Sequence, residues 1–165
     1  MKLQVQLFVL SVLILLTGCL ADTATSIQVD DKTLAKQYVK EKYGYTIIAD
    51  KEPVRTFIMD KKLLNETQYQ QLWSVQEKEP DAFIGKEIAT YTFTVDNHPL
   101  EKQYGLDINV CVMVVEGEAI GGYSFPDTDE LLFGGVNPID GREFEEVKGL
   151  TFLEWREQWK KKYGK

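Results

Sequence analysis

The chain is poor in the residues that most metal and acid–base chemistry draws on: among 165 residues there is one histidine, His98, and two cysteines, Cys19 and Cys111. A single imidazole rules out a multi-histidine metal site and leaves one ordinary side chain titrating near neutrality. Basic residues fall short of acidic ones, 19 against 26, for a net charge of −7. That balance argues against a nucleic-acid partner, whose phosphates are held by lysine and arginine displacing counterions. The paired glycines Gly121-Gly122 and Gly134-Gly135 lack the Lys-Ser/Thr of a phosphate loop and flank strand-like runs. The longest apolar stretch, Leu7 to Leu16 interrupted by Ser11, is also too short to stay as a membrane span, which takes roughly 20 apolar residues.

That stretch is informative for another reason. Lys2 supplies a short positive end, the apolar run follows, and Leu16-Thr17-Gly18 precede Cys19, which is the layout of an export signal. The tetrapeptide Leu16-Thr17-Gly18-Cys19 resembles the lipobox of bacterial lipoproteins. The resemblance implies that the Cys19 thiol is diacylated with palmitate-type chains, that residues 1–18 are cut away after recognition of Leu16, Thr17 and Gly18, and that Cys19 becomes the lipid-anchored N-terminus on the extracytoplasmic face of the cell membrane. The closing segment, Gly149-Leu150-Thr151 through Trp155-Arg156 to Lys162-Tyr163-Gly164, also resembles small lipoproteins of bacilli, a likeness that carries no activity with it.

Removing residues 1–18 leaves 18 basic and 26 acidic residues, a net charge of −8. Such a body gains nothing from an anionic bilayer surface. Two acyl chains, at about 0.8 kcal/mol per buried CH₂, outweigh that repulsion. Residues 19–29, with Asp22, Thr23, Ala24, Thr25 and Ser26, read as a polar tether, and residues 30–165 as one domain. With Cys19 lipidated, Cys111 has no partner in the chain and reads as a buried thiol in an apolar strand. A Cys19–Cys111 disulfide is the rival in an exported protein.

Within the domain, Leu34, Ala35, Tyr38, Val39 and Tyr43 recur at helical spacing, with Asp30 or Asp31 to cap the start and Gly44 to close the end. Tyr45 to Ala49 and Val54 to Met59 are strand-like and separated by Asp50-Lys51-Glu52-Pro53, which suggests a hairpin. A short helix follows Asn65, with Tyr69, Leu72 and Trp73 on one face. Glu87 to Val95 alternates as a half-buried strand, Asp96-Asn97-His98-Pro99 turns the chain, and Asp107 to Val115 is apolar on both faces, as a central strand must be. Glu116-Gly117-Glu118 turns into a strand at Ala119 to Phe125, and Leu131 to Gly135 mirrors its end to suggest one more strand. Val136 to Gly149 reads as loop, and Thr151 with Glu154 makes a capping box for a helix to Tyr163. The expected class is α+β: an antiparallel sheet of about five or six strands with N-terminal and C-terminal helices packed on one face.

No catalytic set is evident, and the pattern calls for no cofactor and no metal. His98 sits in a turn, where a structural role outweighs a catalytic one. Asp127, Asp129 and Glu130 offer hard oxygen ligands for calcium, but the twelve-residue calcium loop is absent and a solvated turn accounts for them. Trp155 and Trp159 run down one side of the last helix, where they either cover the sheet or form a partner-binding patch. The reading preferred from sequence is a membrane-tethered extracytoplasmic binding module of the cell envelope, meeting the membrane through its lipid and an envelope protein or cell-wall component through its surface. A hydrolase using His98 or a carboxylate pair, and an inhibitor or immunity-type lipoprotein, are the alternatives.

The anchor is directly measurable. Intact mass of the mature protein should correspond to a chain starting at Cys19 plus a diacylglyceryl group, and Cys19→Ala should retain residues 1–18.

Overall fold

The computed structural model describes residues 30–129 and 135–164. Cys19 and its lipobox neighbours lie outside the described residues. Helix α1, Asp31–Gln37, starts on Asp30, whose carboxylate accepts the Thr33 amide at 3.0 Å. Its last turn widens into a π-helical segment, Tyr38–Lys42, before Gly44 turns the chain with φ +73°.

Strand β1, Thr46–Ile58, is where the structure departs most from the sequence expectation. The two strand-like runs form one long strand: both halves pair with β2, Glu87–Asp96, and the register slips between Lys51 and Arg55. A bulge at Pro53 replaces the expected turn. Proline is tolerated because β1 is an edge of the sheet, ordered β1-β2-β3-β4-β5, where a missing amide costs no ladder bond.

The centre is as expected. In β3, Ile108–Val115, every residue is buried. Glu116 and Gly117, both with positive φ, make the two-residue turn into β4, Glu118–Pro126. The sheet is antiparallel throughout and closes with a short β5, Asn137–Pro138, against Tyr123 and Ser124. Residues 131–134 of the expected last strand lie outside the described residues.

Alternation along β3 sends two sets of side chains to opposite sides. Val110, Val112 and Val114, with Phe93 and Val95, meet Ala35 and Val39 at α1. Met113 and Val115, with Ile88, meet Trp73 of α2 (Thr67–Ser74) and the stripe Trp155, Trp159 and Tyr163 of α5 (Phe152–Tyr163). The α+β class, the antiparallel sheet and the helices toward both ends stand; the helices, however, serve two faces rather than one, because a strand apolar on both sides needs a cover on each. Helix α5 begins with the expected capping box, the Thr151 hydroxyl and Glu154 carboxylate each accepting the other's amide. Trp159 Nε1 donates to the Leu64 carbonyl at 2.9 Å, fixing the helix to the turn before α2. Two further short helices are α3 (Glu101–Tyr104), in a stretch given no assignment from sequence, and α4 (Phe144–Lys148), where loop was expected, each ended by a glycine of positive φ.

Beyond β5 the edge of β4 is completed by a side chain. The buried Gln76 amide accepts from Gly122 N at 2.9 Å and donates to Gly122 O at 2.8 Å and Leu72 O at 3.0 Å. It supplies the hydrogen bonds of a neighbouring strand. Gly122 must also stay bare, since a Cβ there would lie 2.1 Å from the Cys111 carbonyl oxygen. Gln76→Ala should therefore cost about 2–4 kcal/mol, from lost bonds and stranded strand groups, read as a lower denaturant midpoint at unchanged slope; Gly122→Ala should be worse still.

Candidate functional site

Helices α2 and α5 cover only part of the sheet face they meet. What is left open is set by register: Arg55 pairs with Thr90, and Thr90 with Met113; Thr92 pairs with Cys111, and Cys111 with Tyr123; Thr94 pairs with Asn109, and Asn109 with Phe125. Cross-strand partners share a face, so these side chains form three rows across the sheet. Between them and α2 lies a groove of about 330 Å³ walled by Phe57, Tyr69, Leu72, Tyr123 and Phe125, with Arg55 on its rim. The rings are braced in pairs, Phe57 with Tyr69 at 5.1 Å and Tyr123 with Phe125 at 6.4 Å between centroids. Apolar walls with a few placed polar groups are the usual make-up of a small-molecule site.

The groove continues past Arg55 into a polar end of about 180 Å³. There Lys51 Nζ meets the Asp127 carboxylate at 2.8 Å, Asn109 Nδ2 donates to it at 3.0 Å, and Thr94 Oγ1 donates to Asn109 Oδ1 at 3.0 Å. Lys51 above all holds the Asp127 carboxyl below the usual carboxylate range, so Asp127 is a fixed anion rather than a proton donor. Glu52, on the same rim, is paired with Lys32 at 2.9 Å. Arg55 makes no ion pair or hydrogen bond among the described residues.

Cys111 lies beneath this face, buried, with Thr92 Oγ1 at 3.1 Å. Burial pushes its thiol up from the ordinary value, the reverse of an activated nucleophile. It is the free, buried thiol that the sequence suggested.

The other residues singled out from sequence are not gathered here. His98 is 2 % exposed; Nδ1 accepts the Leu100 amide at 3.2 Å, and Nε2 donates to the Ile139 carbonyl at 3.1 Å. Both ring nitrogens are used, Nδ1 within the turn before α3 and Nε2 in joining that turn to the residue after β5. Burial lowers the His98 pKa, more than the Ile139 bond and the charges of Glu101 and Asp140 raise it. Of the three acids considered for calcium, Asp127 is paired with Lys51, Asp129 is exposed, and Glu130 lies outside the described residues. Among the described residues no three His, Cys, Asp or Glu side chains are placed to hold a metal ion. Trp155 and Trp159 are 7 % and 6 % exposed, so they cover the core, and the large apolar side chains that α5 leaves in solvent are Phe152 and Leu153. Arg55 and the aromatic walls were not anticipated. An arginine two residues after a proline in a strand-like run looks like any solvated charge, and only the register of four strands brings it to Tyr123 and Phe125.

No family model, curated protein or solved structure matches the chain. Among the described residues no helix is long and apolar enough to cross a membrane.

The buried histidine has a measurable consequence. Well above the ordinary imidazole pKa of 6.5 it is neutral in folded and unfolded chains alike and adds no pH dependence. Below that, the unfolded chain takes up a proton that the folded site refuses, so stability falls as pH drops, until the folded site is protonated too. The thermal midpoint should decline between pH 7 and pH 5.5, and His98→Gln, less stable overall, should lose that part of the slope.

Proposed function

We propose that this chain is a membrane-tethered extracytoplasmic binding module of the cell envelope, held by a lipid on Cys19, with the groove across β1, β2 and β4 as its ligand seat. The observation that carries the reading is the groove itself, an aromatic-walled concavity on a rigid sheet, with a guanidinium at its rim that makes no ion pair among the described residues. A sheet face left open costs stability, because Phe57, Tyr69, Tyr123 and Phe125 stay only half-buried. A ligand or partner covering them recovers that hydrophobic stabilisation. The site has binding chemistry and little reaction chemistry: its acid is locked in an ion pair, its thiol is buried, and the single histidine has both nitrogens occupied elsewhere.

Support for the tether comes from Leu16-Thr17-Gly18-Cys19 and the polar residues that follow. A reach of at most ~3.6 Å per residue over residues 19–29 keeps such a domain within a few tens of ångströms of its bilayer.

The test is retention. The intact lipidated protein, incubated with a small-molecule extract of the envelope and re-isolated, should carry a compound identifiable by mass spectrometry. Val136→Trp, which fills the groove from a loop, should lower that retention at least tenfold. Release of a processed product during the incubation would count against a binding module, and Cys19→Ala should shift the protein out of the diacylated membrane fraction.

A further inference from the structure

The charges around the groove are not evenly matched. Of the three arginines, Arg142 meets Asp140 and Glu77 each at 2.6 Å, while the exposed Arg156 and Arg55 make no ion pair among the described residues; of these two, Arg55 is the one that stands at the aromatic-walled groove. Arg55 has no carboxylate partner among the described residues, although two acids share its rim. Asp127 is neutralised by Lys51 and Glu52 by Lys32. One positive charge is therefore left over where the polar end of the groove joins the aromatic walls.

We propose that the groove takes small carboxylates with an apolar body, the body between the aromatic walls and the carboxylate on the Arg55 guanidinium. This rests on the reading of the groove as a ligand seat and adds the class of ligand. A guanidinium presents paired N–H donors matched to the two oxygens of a carboxylate, and such forked bonds are the stronger charged ones. One unpaired cation balances one negative charge. A phosphate monoester, carrying −1.5 to −2 near neutrality, would leave an excess facing Asp127 and Glu52. The walls set the other end: Phe57, Tyr69, Leu72, Tyr123 and Phe125 carry no formal charge at neutral pH. The volume of about 330 Å³ lies at the small end of ligand sites, which suits a ring or short acyl chain rather than a folded partner.

Three probes of one shape separate the body from the charge: 4-phenylbutyrate, 4-phenylbutan-1-ol and 4-phenylbutylamine, titrated into the full-length protein in maltoside micelles while Leu72 and Val136 methyl signals and the Arg55 Nε–H signal are followed by NMR. The butyrate should bind at least tenfold tighter than the alcohol, and the amine more weakly than either. Since Arg55 holds nothing among the described residues, Arg55→Gln should fold normally, bind the alcohol as before and lose the preference for the carboxylate. Arg55→Lys should keep part of it. Equal binding of butyrate and alcohol, or a preference that survives Arg55→Gln, overturns the carboxylate assignment while leaving the groove as a seat. If none of the three moves the Leu72 and Val136 signals at millimolar concentration, the seat itself falls, and the assignment with it.

Discussion

The architecture depends on a strand that cannot face water on either side. All eight residues of β3 are buried, and seven of them are hydrophobic. At about 25 cal/mol for each Å² of apolar surface removed from water, leaving either face bare would expose several valine- and methionine-sized side chains. Both faces therefore have to be covered, and the chain has only short helices to cover them with. Helix α1 takes the valine face from one end of the sequence; α2 and α5 take the Met113 face from the middle and the other end.

That division leaves room for a site. A helix like α2, eight residues long, covers about 12 Å of sheet, and the aromatic stripe of α5 sits over the end of the face nearest Met113 and Val115. The rows nearer Asn109 and Asp127 are left to polar partners and half-buried rings. Thr94, Asn109 and the Lys51–Asp127 pair satisfy one another there without a hydrophobic lid, and Thr92 meets the Cys111 thiol. The groove is thus a by-product of incomplete cover, and the bulge at Pro53 places Lys51 and Arg55 on neighbouring rows of it.

The single histidine and a buried glutamine are structural joints. His98 ties the turn before α3 to the residue after β5, with the Tyr45 ring 4.8 Å from its own. Gly141, with φ +74°, packs closely on the imidazole: a Cβ there would lie 3.3 Å from Cε1, a tight contact. Gln76 stands in for a missing strand. Each is a buried polar group with its hydrogen bonds met, which is how such groups are retained in a core. In a chain without disulfides among its described residues, these bonds position the loops that hydrophobic packing alone leaves loose.

Some of this is decided locally and can be read from the chain. The Asp30 cap, the capping box at Thr151, the two-residue turn at Glu116-Gly117 and the two-faced apolar pattern of β3 each depend on residues a few positions apart. The rest depends on contacts across the chain. Asp50-Lys51-Glu52-Pro53 has the composition of a turn, and only its place on a sheet edge lets a strand run through it. The terminal helices share a similar apolar periodicity, which cannot say which face each will cover. Arg55, Tyr69 and Tyr123 are unremarkable in sequence and become neighbours through strand register. Periodicity and capping act over one or two turns of chain; which side chains converge, and which charge is left without a partner, is settled only when distant strands align.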